Sequence, residues 1–241
     1  MFDIHCHVIP EVDDGARNWE IALQMCAMAW QDGIEHIVAT PHANDEYIYD
    51  RRYLEETLDL LRRKCGGQPA LSLGCDFHFS FENIQDALTH PGRYTIGDTP
   101  YILIEFSDFS LPPSIDGQLA QMMNMGFRPI LTHPERNPIL QKTPDRVLEW
   151  ARAGCVVQVT ANSLTGRWGK QAEALARWLI DQNAVHVVAT DAHSTNSRPP
   201  ILSEAREQVR KMAGDMVAEA LVRDNPRAIV KGELLPYLPE V

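Results

Sequence analysis

Basic residues are scarce in this chain. Its 241 residues carry 22 lysines and arginines against 33 aspartates and glutamates, a formal charge of −11. Nucleic-acid binding by phosphate neutralisation calls for a basic stripe. The longest basic cluster, Arg62-Arg63-Lys64, lies on a helical pattern and reads as a solvated face, so nucleic acid is not an expected partner. Long apolar runs are also missing. None approaches the ~18 residues of a membrane span, and Met1-Phe2-Asp3-Ile4-His5 has neither the basic nor the apolar segment of a secretory signal. No membrane insertion is expected. Cysteine is sparse: Cys6, Cys26, Cys65, Cys75 and Cys155 are odd in number and never in C-x-x-C spacing, which reads as reduced thiols in a cytoplasmic protein. None has an arginine six positions on, since positions 12, 32, 71, 81 and 161 hold Val, Asp, Leu, Phe and Ala. That excludes the cysteine-nucleophile route to phosphate. There is no Gly-x-Ser-x-Gly elbow and no Walker A loop. With no Pro- or Gly-rich linker, low-complexity tract or fixed-period repeat, residues 1–241 read as a single domain.

What is present is an alternation of short apolar runs and amphipathic stretches. The runs Phe2–Cys6, His36–Thr40, Ala70–Cys75, Tyr101–Phe106, Pro129–Thr132, Cys155–Thr160 and His186–Thr190 are rich in Val, Ile and Leu with little polar alternation, as in strands buried on both faces of a parallel sheet. Between them lie helical patterns at Asn18–Gln31, Tyr53–Lys64, Ile115–Met125, Lys170–Asp181 and Ile201–Met212, with a terminal one at about Met216–Val230. Ala172, Leu175, Ala176, Leu179 and Ile180 form one helical stripe. Another helix starts after Thr143, with Thr143 suited to the N-cap, Pro144 to the first position and Gly154 to the C′ position. Seven strands with helical crossovers imply right-handed βαβ units, and an α/β barrel of seven strands is favoured over an open sheet.

Histidines and carboxylates gather at the ends of these strands. His5 and His7 end the first, and Asp13-Asp14-Gly15 follows in a turn. His42 follows the second strand, Asp76 the third, Glu105 the fourth and His133 the fifth; Asp191 and His193 follow the seventh. In a parallel barrel all C-terminal ends open on one face, so residues distant in sequence converge there. Positions i and i+2 of an extended segment point the same way, which pairs His5 with His7 and Asp191 with His193. Singly, each has an ordinary reading: a structural histidine, a turn aspartate, a helix cap. Jointly, six of seven strand ends bear a potential ligand. This exceeds the needs of one ion and points to several divalent ions sharing carboxylates. His36, His90 and His186 lie at strand starts or in loops and read as structural.

These residues resemble the PHP superfamily, named for polymerase and histidinol phosphatase. The motifs are Asp3-Ile4-His5-Cys6-His7, Thr40-Pro41-His42, Leu103-Ile104-Glu105-Phe106, Thr132-His133-Pro134-Glu135-Arg136 and Thr190-Asp191-Ala192-His193. Val12-Asp13-Asp14-Gly15, Ser197-Arg198-Pro199-Pro200 and Asp224-Asn225-Pro226-Arg227 make it most similar to the manganese-dependent bacterial tyrosine phosphatases of capsule and exopolysaccharide operons. The resemblance spans Asp3 to about Val230. It implies a distorted seven-stranded (β/α)7 TIM-like barrel, the PHP fold, holding three divalent ions, manganese or else Fe, Co or Zn. One ion takes His5, His7, Asp76 and Asp191. A second shares Asp76 and adds Glu105 and His133. The third takes Asp14, His42 and His193. Arg136 and Arg198 meet the substrate phosphate. The implied reaction is hydrolysis of phosphate monoesters, above all protein phosphotyrosine, by a metal-bridging hydroxide. The implied partner is a tyrosine-phosphorylated protein such as a bacterial tyrosine kinase of polysaccharide assembly. The family usually has Glu where this chain has Asp76, and His78 lies two residues on, on the same side of an extended segment. Two alternatives remain open: a histidinol-phosphate or other small-molecule phosphatase, and a non-catalytic metal-binding regulatory domain.

Overall fold

The computed structural model describes residues 1–241 as a mixed α/β fold in which every strand pair is parallel. The strands are β1 (Phe2–Cys6), β2 (His36–Ala39), β3 (His42–Ala43), β4 (Ala70–Leu73), β5 (Asp76–His78), β6 (Tyr101–Glu105), β7 (Arg128–Thr132), β8 (Val156–Thr160) and β9 (Val187–Ala189). They form one sheet in the order β1-β2-β4 and another in the order β3-β5-β6-β7-β8-β9. Two of the stretches read as strands, His36–Thr40 and Ala70–Cys75, are each followed by a further short strand piece that the sequence reading did not include. Pro41, which has no N–H for the ladder, separates β2 from β3. Gly74 and Cys75 separate β4 from β5, so Asp76 opens a strand piece instead of ending one. At the other edge, His7 N–H donates to Ala192 O (2.8 Å) and Asp191 N–H to His5 O (2.8 Å), which ties β1 to the segment after β9. The sheets are thus curled towards one another in a barrel-like arrangement.

Helices follow the strands and cover the outside. Asn18 caps the helix Trp19–Gln31 by accepting from Ile21 N, and Asp50 caps Arg51–Lys64. Thr143 does not act as the expected cap: its hydroxyl donates to Ile139 O, and the helix Asp145–Arg152 has no side-chain cap bond. Gly154 does lie just past that helix, at φ 106°. Two α-helices were not anticipated: Phe81–Thr89, capped by Ser80 and burying only Ile84 and Ala87, and the single turn Ala161–Leu164. The terminal helical stretch is interrupted by a wide π turn at Ala220–Asp224.

The strands grade from apolar to polar along one face. Tyr101 and Leu103 of β6, Val156 of β8, and Val187 and Ala189 of β9 belong to a small buried cluster plugged by Ala228, Ile229 and Leu235. The next residues on the same faces, by the two-residue period, are Glu105, Gln158 and Asp191. Apolar side chains therefore fill the N-terminal half of the interior, and polar ones collect at the C-terminal half.

Candidate metal centre

All nine residues read as ligands meet at the C-terminal end of the strands. They fall into four overlapping groups whose ligand atoms lie within 4.8 Å of one another: His7, Asp14, His42 and His193; His5, His7 and Asp76; His5, His133 and Asp191; and His42, Asp76 and Glu105. Asp14, His42 and His193 come together as grouped above, joined by His7. Asp191 stands with His5 and His133, and Glu105 with His42 as well as with His133 (3.7 Å). Asp76 is the one carboxylate that belongs to two of the groups. Its Oδ2 lies 3.5 Å from His5 Nε2, 4.0 Å from His7 Nε2 and 3.3 Å from His42 Nδ1. His78 reaches only Glu105, at 4.0 Å, and belongs to none of the groups.

Backbone geometry aims these side chains. His133 and Asp191 sit at the ends of their strands in the left-handed region, at φ 34° and 50°. His and Asp tolerate that region better than most residues, and such strain concentrates at functional sites. Gly15 is obligatory: a Cβ there would lie 2.2 Å from His7 O. The turn it permits lets Asp13 and Asp14 take different tasks. Asp13 Oδ2 binds His7 Nδ1 at 2.7 Å, while Asp14 Oδ1 lies 3.3 Å from both His42 Nε2 and His193 Nε2.

The surrounding residues set the histidine orientation. His5 Nδ1 donates to Gln158 Oε1 (3.0 Å), His7 Nδ1 to Asp13, and His193 Nδ1 to Asp191 O (3.0 Å). With Nδ1 as the donor, each Nε2 offers a lone pair to the centre. His5 Nε2 and His7 Nε2 then face each other at 3.3 Å. Two lone pairs at that distance repel unless a proton or a cation lies between them. Buried His42 Nδ1, His193 Nε2 and both oxygens of Asp76 have no hydrogen-bond partner. Buried polar atoms are normally paired, so this donor set fits divalent cations: imidazole nitrogen and carboxylate oxygen, inward-facing and mutually unsatisfied.

Protonation tells the same story. Burial alone would lower His5, but Asp76 and Asp191 overcome it and raise it to about 9. His42, also opposed by burial, is pushed up to about 12 by Asp14, Asp76 and Glu105. Burial and the charge of Asp76 lift Glu105 to about 8. Burial opposes ionisation of Asp76, yet His5 and His42 hold its carboxyl well below the usual range. Protons thus compensate the carboxylates where cations would otherwise do so.

Arg136 and Arg198 converge beside the cluster on a single atom. Arg136 Nη1 and Arg198 Nη2 both donate to Asp191 Oδ2, the latter at 2.5 Å. The candidate phosphate-binding residues thus contact a candidate ligand. Glu135, between His133 and Arg136, is wholly buried and accepts from Thr160 N (3.0 Å) and Ser163 Oγ (2.7 Å), bracing the end of β7 against that of β8. Two clefts reach the site. One of about 400 Å³ is lined by Asp14, Arg17, His193 and Arg198; one of about 160 Å³ is lined by Glu105, His133, Arg136 and Trp168. Sequence reasoning overlooked Gln158, Trp168 and the orienting role of Asp13.

The family model for capsular polysaccharide synthesis proteins, CpsB/CapC, matches residues 1–231. The chain belongs to the CpsB/CapC family. Among its CpsB/CapC relatives, the tyrosine-protein phosphatase YwqE of Bacillus subtilis is 29% identical over 238 residues, which cover 98% of this chain and 93% of that one. The tyrosine-protein phosphatase CpsB of Streptococcus pneumoniae is 28% identical, covering 98% of this chain and all of that one. A solved structure from work on YwqE and CpsB, described as unique metal-dependent tyrosine phosphatases, superposes with a TM-score of 0.92 at 29% identity over the whole of both chains. The phosphotriesterase homology protein of Escherichia coli shares only the fold, with a TM-score of 0.62 at 14% identity over 93% of this chain.

Proposed function

We propose that this CpsB/CapC chain is a single-domain, metal-dependent phosphatase of protein phosphotyrosine, built on a closed seven-stranded barrel. Broken strands β2/β3 and β4/β5 each count once in that barrel, and the β1 contacts with Asp191 and Ala192 support its closure. The observation that carries the functional reading is the set of mutually unsatisfied imidazole and carboxylate atoms beside two converging guanidinium groups. The relatives' description as metal-dependent tyrosine phosphatases accords with it.

His5, His7, Asp14, His42, Asp76, Glu105, His133, Asp191 and His193 would hold three divalent ions, with manganese the first choice and Fe, Co or Zn also suited to these donors. The membership of Asp76 in two of the groups supports a role for its carboxylate toward more than one ion. When bound, such ions lower the pKa of water towards ~7 and neutralise a phosphate dianion. The chain's own residues do the rest. Gln158 and Asp13 fix the tautomers of His5 and His7. Arg136 and Arg198 offer planar N–H edges to phosphate oxygens, a bidentate geometry suited to arginine. The exposed side of Asp14, with 47% of its side chain accessible, opens the cluster to solvent and substrate. All five cysteines are free, and four are buried, which accords with work in the cytoplasm on a tyrosine-phosphorylated partner such as a kinase of polysaccharide assembly.

The test compares turnover of a phosphotyrosine peptide, histidinol phosphate and p-nitrophenyl phosphate, with and without chelator. The expected result is loss on chelation, recovery with Mn²⁺, survival of thiol alkylation, and preference for the phosphotyrosine peptide. Preference for histidinol phosphate would overturn the substrate; metal binding without turnover of any ester would overturn the enzyme.

A further inference from the structure

Trp168 lies outside every motif singled out above, yet it touches both arginines. It stands between the short helix Ala161–Leu164 and the helix Lys170–Asp181, in a turn closed by Gly169 N–H donating to Gly166 O (3.1 Å). Both glycines take positive φ, 77° and 85°, which the sharp return of the chain requires. Arg167 anchors the turn from either side: its N–H donates to Asn162 O (2.9 Å) and its guanidinium to Glu204 (2.9 Å). The indole is left 36% exposed at the mouth of the cleft that leads to Glu105 and His133.

The Arg136 Cζ lies 3.8 Å from the indole ring centroid, and the Arg198 Cζ 5.3 Å from it. These arginines follow different strands, β7 and β9, and meet at two places only: Asp191 Oδ2 and the Trp168 ring. A guanidinium has a planar face, which stacks on aromatic rings, and an N–H edge, which binds oxyanions. Trp168 occupies the faces, and the edges converge on one carboxylate oxygen. Arg198 Nε, buried and without a partner, remains a free donor at that edge.

We infer that Trp168 is a positioning residue that holds both guanidinium groups with their N–H edges aimed at one oxyanion, so that a phosphate group meets a preformed fork. Arginine side chains have large rotameric freedom, and ordering two of them on binding would weaken it. The indole orders them beforehand. The inference rests on the phosphatase reading for its natural ligand, but anion binding tests it separately.

The experiment titrates inorganic phosphate into the Mn²⁺-loaded protein by calorimetry, for the wild type, Trp168→Ala and Trp168→Phe, alongside metal content, melting temperature and p-nitrophenyl phosphate kinetics. Trp168→Ala should weaken phosphate binding about tenfold, equivalent to about 1.4 kcal/mol, and raise KM more than it lowers kcat. Metal content should stay the same, and Trp168→Phe, which keeps an aromatic face, should recover most of the loss. Phosphate binding by Trp168→Ala equal to the wild type overturns the inference, as does a wild type that binds no phosphate. Equal losses in both variants with a lowered melting temperature or lost metal also overturn it, since they mark a merely structural role. If the wild type binds phosphate but turns over no ester, the phosphatase reading fails and the phosphate titration still decides the role of Trp168.

Discussion

The two ends of the same strands hold histidine in opposite settings. At the N-terminal ends, His36 and His186 face no carboxylate and each has a neutral hydrogen-bond partner: His36 Nε2 meets Ser72 Oγ at 2.9 Å, and His186 Nδ1 accepts from Val157 N–H at 3.1 Å. Burial pushes both down to about 4, helped at His36 by the charge of Arg62, so both are neutral. At the C-terminal ends, five histidines face four carboxylates with atoms left unpaired. Even the largest cavity, about 620 Å³, lies at the N-terminal end, against the tail residues Leu234, Leu235 and Leu238, where no such group exists. Neither the residue type nor the size of a hollow marks the site. What marks it is a surplus of inward-facing donors that no proton count satisfies comfortably.

Removing the shared carboxylate breaks this contrast most severely. Asp76→Ala should release at least one ion and lower kcat roughly a thousandfold, at the upper end of the cost of losing one electrostatic stabiliser. Asp76→Glu keeps the charge and restores the longer reach usual in the family, so it should stay within about tenfold of the wild type in kcat and metal affinity, losing less than a misplaced supporting group would. Elemental analysis and kinetics on the same samples check both. Full metal and turnover in Asp76→Ala would assign the bridge to another group, with His78 the first suspect.

Smaller effects sharpen the comparison. Gln158→Leu removes the acceptor that orients His5 and should weaken metal binding by about 10–100-fold, the range for lost supporting bonds; a metal titration reads this directly. Arg136→Ala and Arg198→Ala should keep their metal yet lose about 10–100-fold in kcat/KM, since hydrogen bonds to charged groups contribute about 1.5–3 kcal/mol. Unchanged kinetics in both would remove the arginines from the site.

The smallest effect belongs to the N-terminal end. His186 titrates at about 4 when folded, below the ordinary histidine value of about 6.5. The unfolded chain therefore binds the proton first. Stability from the neutral ring is fully present above pH ~6.5 and is lost as pH falls towards 4. Denaturant unfolding at pH 7 and pH 4.5 should show a wild-type loss about 1–2 kcal/mol greater than that of His186→Gln, which has no proton to gain. Equal losses would show that His186 is not held neutral.

Much of this was legible in the sequence, for definable reasons. Buried parallel strands are short runs of β-branched residues, and the nine residues at their ends are chemically distinctive. What escaped notice was chemically ordinary. Gln158 is one polar residue on a strand, and only the fold places it under His5. Trp168 reads as a loop aromatic until two arginines from other strands arrive on its face. The helix Phe81–Thr89 buries only two residues, too sparse a stripe to stand out. Thr143 has the right type for a cap, but a competing bond to Ile139 O takes its hydroxyl.

The central claim is that the unsatisfied donors at the C-terminal ends of the strands hold a cluster of divalent ions. Equilibrium dialysis of the chelator-stripped protein against Mn²⁺, followed by elemental analysis, tests it most directly. The account predicts saturable binding that rises to three ions per chain. Saturation at one ion per chain or fewer would contradict it.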